Sequence, residues 1–299
     1  MTTDPLAHPI RWPAEAVWEA LAPVLPGFTV EILPEVDSSN SELMRRFRGK
    51  AGAPPQTEPT LLVAEQQSAG RGRLGRSWQS RRGDSLTFSL GLCLQPADWA
   101  GLSLVVGISL AESLDPLNAG LRRIGLKWPN DLWLCGPASP KDGEGSERKL
   151  AGILVETASW EGLRYVVIGV GINIRAMDPS ALATPAAPAQ AMAAVAPGCL
   201  QDLHPALDAA ATLLRVLPPL VQAVQAFEHF GFAPFQARFA ARDVLAGRAV
   251  QLSDGTQGSA YGVGENGALR VHTAAGMKEI TSAEVSVRPV SPAPGAAPC

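Results

Sequence analysis

Two pairs of apolar, β-rich runs in this chain are joined by connections too short to be anything but hairpin turns. Residues 124–128 and 132–135 are separated only by Pro129-Asn130-Asp131, and residues 150–157 and 164–174 by a turn around Trp160-Glu161-Gly162. A parallel pair needs a crossover of about a dozen residues or more, so both pairs are antiparallel. That argues against a doubly wound parallel sheet and sets an antiparallel core around which the remaining elements must fit.

Those elements follow from local patterning. Residues 14–25 predict a helix and residues 29–36 a strand. Asp37-Ser38-Ser39-Asn40 supplies N-cap groups for a helix over 41–47. Strands are expected at 60–65 and 85–94, and a buried helix at 102–114. Pro218-Pro219 predicts a break between one helix beginning near 205 and a second ending near 230. A short helix is expected over 234–242. Short alternating runs then follow at 249–252, 259–263, 268–272, 278–281 and 285–288, with Asp254-Gly255, Asn266-Gly267 and Ala275-Gly276 as turns. A small C-terminal β-barrel is the expected result.

The 299 residues are 46% hydrophobic and 18% charged, enough for a large core. Lys plus Arg number 25 against 28 Asp plus Glu, so a globally basic nucleic-acid coat is excluded and only a local basic patch remains. Cys93, Cys135, Cys199 and Cys299 stand far apart with no CxxC pair, which argues against structural zinc and a disulfide framework and fits a reducing, cytoplasmic setting. Residues 1–13 lack the apolar region of a secretory signal, and the apolar run at 102–111 is short of the roughly 20 residues a membrane span needs.

Four motifs carry chemistry. Gly70-Arg71-Gly72-Arg73-Leu74-Gly75-Arg76-Ser77-Trp78 contains GxGxxG, but a dinucleotide fingerprint requires a helix opening at the glycines, and here a strand-like run follows. Five of the 20 arginines lie between Arg71 and Arg82. Glycine lets backbone approach a ligand, and arginine presents a donor fork to phosphate or carboxylate. The loop therefore reads either as a closure over an anion or as a solvated basic patch. Lys127-Trp128-Pro129-Asn130-Asp131 reads as a plain turn or as a phosphate-facing lysine with a carboxylate for ribose or metal. Lys149, ahead of Leu150-Ala151-Gly152-Ile153-Leu154-Val155-Glu156, is a surface lysine or a placed charge. Gly169-Val170-Gly171-Ile172-Asn173 puts two glycines inside a strand, predicting a bulge or a ligand's close approach.

Taken in order, and with Asp37-Ser38-Ser39-Asn40, these motifs resemble those of the biotin–protein ligases over roughly residues 30–290. The resemblance implies an α+β fold: a mixed, largely antiparallel sheet with flanking helices, like class II aminoacyl-tRNA synthetases and lipoate ligases, plus an SH3-like C-terminal β-barrel. It implies a leader at 1–28, a catalytic domain at 29–242, the barrel at 243–290 and a disordered tail at 291–299. The implied activity forms biotinyl-5'-AMP from biotin and ATP with Mg²⁺, then transfers biotin to a lysine of the biotin carboxyl carrier protein of acetyl-CoA carboxylase.

By family position, Arg73 and Lys149 are catalytic. Ser38, Ser39, Asn40, Gln67, Arg71, Gly72, Arg73 and Lys149 meet biotin. Arg71, Arg73, Arg76, Trp78, Lys127, Asn130, Asp131 and Asn173 meet ATP or the adenylate, Trp78 covering the adenine and Asn173 its edge. Asp131 is the candidate metal ligand. Ser39 stands where the family commonly has Thr, keeping the hydroxyl. The 28 residues before the first strand hold one helix, so no operator-binding domain and no specific DNA binding are expected. Neither a monomer nor a homodimer is favoured. The alternatives are a lipoate ligase with the same adenylation chemistry, a NAD-dependent oxidoreductase resting on GxGxxG, and a non-enzymatic nucleic-acid-binding module resting on the arginines.

Overall fold

A computed structural model describes residues 9–49, 54–116, 122–136, 147–176, 196–281 and 287–289. Its frame is a seven-stranded sheet. In chain order the strands are β1 (Thr29–Val36), β2 (Thr60–Gln67), β3 (Ser85–Cys93), β4 (Ile124–Lys127), β5 (Asp131–Leu134), β6 (Arg148–Trp160) and β7 (Leu163–Asn173). In space they run β1-β2-β3-β7-β6-β5-β4. Only β1 and β2 are parallel, with α2 (Ser39–Arg48) as their crossover, and every other pair is antiparallel. Both hairpins expected from the short turns are present, so the mixed, largely antiparallel sheet is confirmed.

Strand alternation divides the molecule. On β3, Leu86, Phe88, Leu90 and Leu92 join the main core beneath α3 (Leu102–Leu114) and α4 (Ala209–Phe230). Ser85, Thr87 and Ser89 point to the opposite face. On that face α2 packs Leu43, Met44 and Phe47 against Leu62, Ala64, Tyr165 and Val167, with the Phe47 and Tyr165 rings stacked at 4.5 Å. Ten of the 13 residues of α3 are buried, and only Ser103, Glu112 and Ser113 are not.

The chain then turns through α5 (Gln236–Ala240) into the C-terminal strands β8 (Ala249–Leu252), β9 (Gln257–Val263), β10 (Leu269–Thr273), β11 (Gly276–Ile280) and β12 (Val287–Pro289). These form an antiparallel sheet ordered β11-β10-β9-β8-β12. The two sheets share one core: Leu126 and Trp128 belong to the same apolar cluster as Val250, Val271 and Ile280. Two polar ties reinforce the junction. The buried Trp128 indole N–H donates to the Gly267 carbonyl at 3.1 Å. Arg242, 1% exposed, donates to the carbonyls of Ile124 (3.0 Å) and Asp115.

Several local expectations need correction. α1 (Ala14–Leu21) stops four residues early: Ala22 still has helical angles and bonds to Trp18 O, but Pro23 has no N–H with which to continue the ladder. The break expected at Pro218-Pro219 does not occur, and α4 is one 22-residue helix. The carbonyls these prolines leave without partners belong to Leu214 and Arg215, both on the exposed side, while Leu213, Val216, Leu217 and Leu220 anchor the buried side. α4, unlike the run at 102–111, is long and apolar enough to cross a membrane. Half of it is buried within the fold, so its apolar side chains serve the core. No bulge marks Gly169 or Gly171, since β7 keeps regular register with both neighbours. Most of the polar Gly/Pro/Ser-rich stretch 136–148 and of the Ala/Pro-rich stretch 176–206 lies outside the described residues, as do the start of the leader and the tail.

Candidate active site

The face of the sheet that carries Thr87 floors an open cleft bounded by α2, the glycine–arginine segment and the β4–β5 turn. Every residue expected at the site lines it except Asn173.

One wall is polar and almost free of formal charge. Ser38 caps α2 through its hydroxyl, accepting from Ser41 N at 3.3 Å, so Ser39 and Asn40 lie in the first helical turn rather than ahead of it. Both are buried. Gln67 Oε1, at the end of β2, accepts from Ser39 N at 2.8 Å and from Ser39 Oγ at 3.0 Å. Ser89 Oγ, fully buried, donates to Asn40 Oδ1 at 2.6 Å and lies 2.7 Å from Ser39 Oγ.

The glycine–arginine segment closes as a narrow hairpin. Trp78 N donates to Gly70 O at 2.9 Å and Gly72 N to Arg76 O at 2.6 Å. Gly70 is required there, because a Cβ would lie 2.2 Å from the Trp78 carbonyl. At the tip, Leu74 (φ 56°) and Gly75 (φ 70°) both adopt the left-handed region. No helix opens at these glycines, so the dinucleotide reading fails on geometry. Arg71 turns back onto the protein, where Nη1 donates to Ser41 Oγ at 2.9 Å and Nη2 pairs with Glu156.

The opposite end is cationic. Asp131 Oδ1 meets Lys149 Nζ at 2.7 Å across β5 and β6. Lys127 lies beside them, 5.5 Å above the Trp133 ring. Burial pushes the Lys127 ammonium down to about 8, with Lys149, Arg76 and Arg73 adding to the shift and Asp131 opposing it. Burial also lowers Arg73. Asn130 braces this corner: its side-chain Nδ2 donates to Ile153 O at 2.7 Å, and Ile153 N returns a bond to Asn130 O at 3.0 Å.

Between the two ends sits Trp78. A Cβ at Gly171 would come within 2.3 Å of its ring, and one at Gly169 within 2.1 Å of Asn40 Oδ1. The paired glycines of β7 therefore admit the protein's own side chains, Trp78 and Asn40, at close approach. Asn173 lies behind the cleft, 5% exposed, with Nδ2 donating to the carbonyls of Lys149 (3.2 Å) and Gly198 (3.0 Å). That placement fits support of the Lys149 strand and departs from the expected adenine-edge contact.

Sequence reasoning missed Thr87, Ser89 and Glu156. The signal for the first two was available: Ser85, Thr87 and Ser89 recur at the strand period on one face of an otherwise apolar run. Thr87, which lines the cleft, is 4% exposed, and its buried hydroxyl has no protein partner. Among the described residues no group of three His, Cys, Asp or Glu side chains could hold a metal.

A neutral hydrogen-bonding pocket that opens onto a cluster of cations suits a ligand with an uncharged polar part and an anionic part, the arrangement of an enzyme site rather than of a plain basic surface. Comparison with known proteins agrees. Residues 35–173 match the model of the Biotin/lipoate A/B protein ligase family, and residues 246–288 that of the Biotin protein ligase C terminal domain. The chain is 34% identical to the Bifunctional ligase/repressor BirA of Escherichia coli (strain K12), over 88% of this chain and 75% of that one. It is 30% identical to the Biotin--[acetyl-CoA-carboxylase] ligase of Paracoccus denitrificans, over 85% and 98% respectively. A biotin protein ligase from Aquifex aeolicus, solved in complex with biotin and ATP, superposes with a TM-score of 0.65 at 28% identity, covering 87% of this chain and 99% of that one. The chain belongs to the biotin protein ligases of the biotin/lipoate ligase family.

Proposed function

We infer that the chain is an ATP-dependent biotin–protein ligase that joins biotin to a lysine of the biotin carboxyl carrier protein of acetyl-CoA carboxylase. The observation that carries this is the division of one cleft into a neutral polar pocket and a cationic end, with Trp78 between them. The ureido ring of biotin has N–H donors and a carbonyl acceptor that need partners once buried. Ser39, Asn40, Gln67 and Ser38 surround the space that ring would fill.

Attack of the biotin carboxylate on the α-phosphate brings two anions together, so positive charge must be in place beforehand. Lys149, Lys127, Arg73 and Arg76 supply it, and Asp131 holds the Lys149 ammonium at the mouth of β6. The carboxylate oxygen bonds to the α-phosphorus as pyrophosphate leaves. In the second step the acceptor lysine's amine attacks the mixed anhydride and AMP departs. Trp78 stacks over the adenine.

Mg²⁺ fits here as an ion carried in by the nucleotide. Asp131 is a single carboxylate among cations, and Mg²⁺ is typically held by one or two carboxylates plus substrate phosphates. When bound, the ion neutralises charge on the phosphate oxygens. Residues 29–242 form the catalytic domain and 243–290 the SH3-like domain in this reading. The unpaired thiols of Cys93, Cys135 and Cys199 support a cytoplasmic location.

Biotin-dependent exchange of labelled pyrophosphate into ATP tests the proposal, with lipoate in parallel. Exchange with biotin alone is expected. Exchange with lipoate alone would move the function to lipoate ligation.

A further inference from the structure

Glu156 ends the Lys149-to-Glu156 motif on β6 and stands outside the lining of the cleft. Its side chain is 22% exposed and its carboxylate is shared by two site residues. Oε2 accepts from Asn40 Nδ2 at 2.9 Å, and Oε1 accepts from Arg71 Nη2. One carboxylate therefore joins the helix that carries the polar wall to the glycine–arginine hairpin.

We propose that Glu156 is a positioning residue that sets the hydrogen-bond polarity of the ureido pocket and latches the loop beside it. This rests on the biotin ligase reading above. A carboxylate can only accept, so it obliges the Asn40 amide to turn its nitrogen outward to Glu156 and its oxygen inward. The second Asn40 N–H goes to Leu154 O at 3.2 Å, which reinforces that orientation. Asn40 Oδ1 then receives the single Ser89 proton. Ser89 is left with lone pairs, so Ser39 must spend its own proton within the protein, on Ser89 Oγ or Gln67 Oε1. In either case Ser39 Oγ faces the ligand as an acceptor. Gln67 Oε1, oriented by Ser39 N, leaves its amide nitrogen as a donor. An acceptor beside a donor is complementary to the N–H and C=O of a cyclic urea. Glu156 thus selects ligand chemistry from outside the pocket, without touching the ligand.

The experiment is pyrophosphate exchange on the full chain, measuring KM for biotin, KM for ATP and kcat. Glu156→Gln has the same shape but can donate as well as accept, so Asn40 is free to flip. KM for biotin is expected to rise roughly 10- to 100-fold, the scale of a lost charge-assisted hydrogen bond, with KM for ATP and kcat within about threefold. Glu156→Asp keeps an acceptor-only group and is expected to lie closer to wild type than Glu156→Gln. The pair Asn40→Asp with Glu156→Gln restores an acceptor facing Ser89 and is expected to recover part of the loss. If Glu156→Gln proves unstable by thermal melting, the comparison of Glu156→Asp with wild type decides. A KM for biotin unchanged in Glu156→Gln would overturn the proposal. So would equal changes in all three constants, the mark of general damage. Wild-type protein that exchanges with neither biotin nor lipoate would instead overturn the parent reading.

Discussion

Lys149 Nζ and Asp131 Oδ1 stand 2.7 Å apart across neighbouring strands, although they lie 18 positions from each other in the sequence. The pair fixes where the ammonium sits before any substrate arrives, which is how a preorganised charge differs from a flexible surface lysine.

Lys149→Ala is therefore expected to lower the adenylation rate about 10²- to 10³-fold. Asp131→Asn is expected to lower it as well, though less, because the lysine remains but is no longer held. Single-turnover formation of the adenylate measures both. A near-wild-type rate for Lys149→Ala would remove it from the reacting centre.

Lys127 gives the site a pH signature. Its ammonium, pushed down to about 8 by burial, loses charge as pH rises through that value. The free protein binds fewer protons here than the unfolded chain between about 8 and the ordinary lysine value near 10.5. This group therefore makes the fold more stable as pH climbs through that window, and it opposes folding fully below it. An anionic nucleotide should restore the charge, so ATP binding near pH 8 to 9 is expected to take up a proton. Calorimetry in two buffers of different ionisation enthalpy reads that uptake directly, and Lys127→Arg should abolish it.

The glycines of β7 separate the two halves of the cleft experimentally. Gly171→Ala would place a methyl 2.3 Å from the Trp78 ring, and Gly169→Ala one 2.1 Å from Asn40. Displacing each neighbour should cost about 1–3 kcal/mol of local packing. Gly171→Ala is expected to raise KM for ATP more than for biotin, and Gly169→Ala the reverse. Equal effects on both substrates from both variants would sink this assignment.

The prolines of α4 invite a change in the opposite direction. Pro218→Ala or Pro219→Ala restores a backbone N–H to the carbonyl of Leu214 or Arg215. Each should stabilise the protein by about 1–2 kcal/mol, the interior-helix cost of proline less its entropic advantage in the unfolded chain. At roughly 2–4 °C per kcal/mol, the melting temperature should rise visibly.

Much of this was legible in the chain itself. Short connections, three residues in β4–β5 and two in β6–β7, forced the hairpins, and motif order brought together every expected site residue except Asn173. What escaped was tertiary. Pro218-Pro219 carries a strong local signal for a break, yet apolar residues on the buried side of α4 outweigh it. Pro23 carries an equally local signal, and there the helix does end. The β7 glycines correctly announced a close approach, but sequence could not say that Trp78 and Asn40 make it. Asn173 shows the same limit, since its partners Lys149 and Gly198 are remote along the chain. Glu156 was invisible because its importance lies in what it accepts from, two residues more than 80 positions away.

The bond from the Trp128 indole to Gly267 has a consequence for how the molecule comes apart. Trp128 sits inside the motif that carries Lys127 and Asp131, while Gly267 belongs to the turn between β9 and β10. Melting the small sheet would uncover a large aromatic face and release the strand end bearing the nucleotide-side charges. Unfolding should then be a single cooperative event, with one calorimetric peak, and loss of the last 50 or so residues should extinguish adenylation together with the fold that supports it.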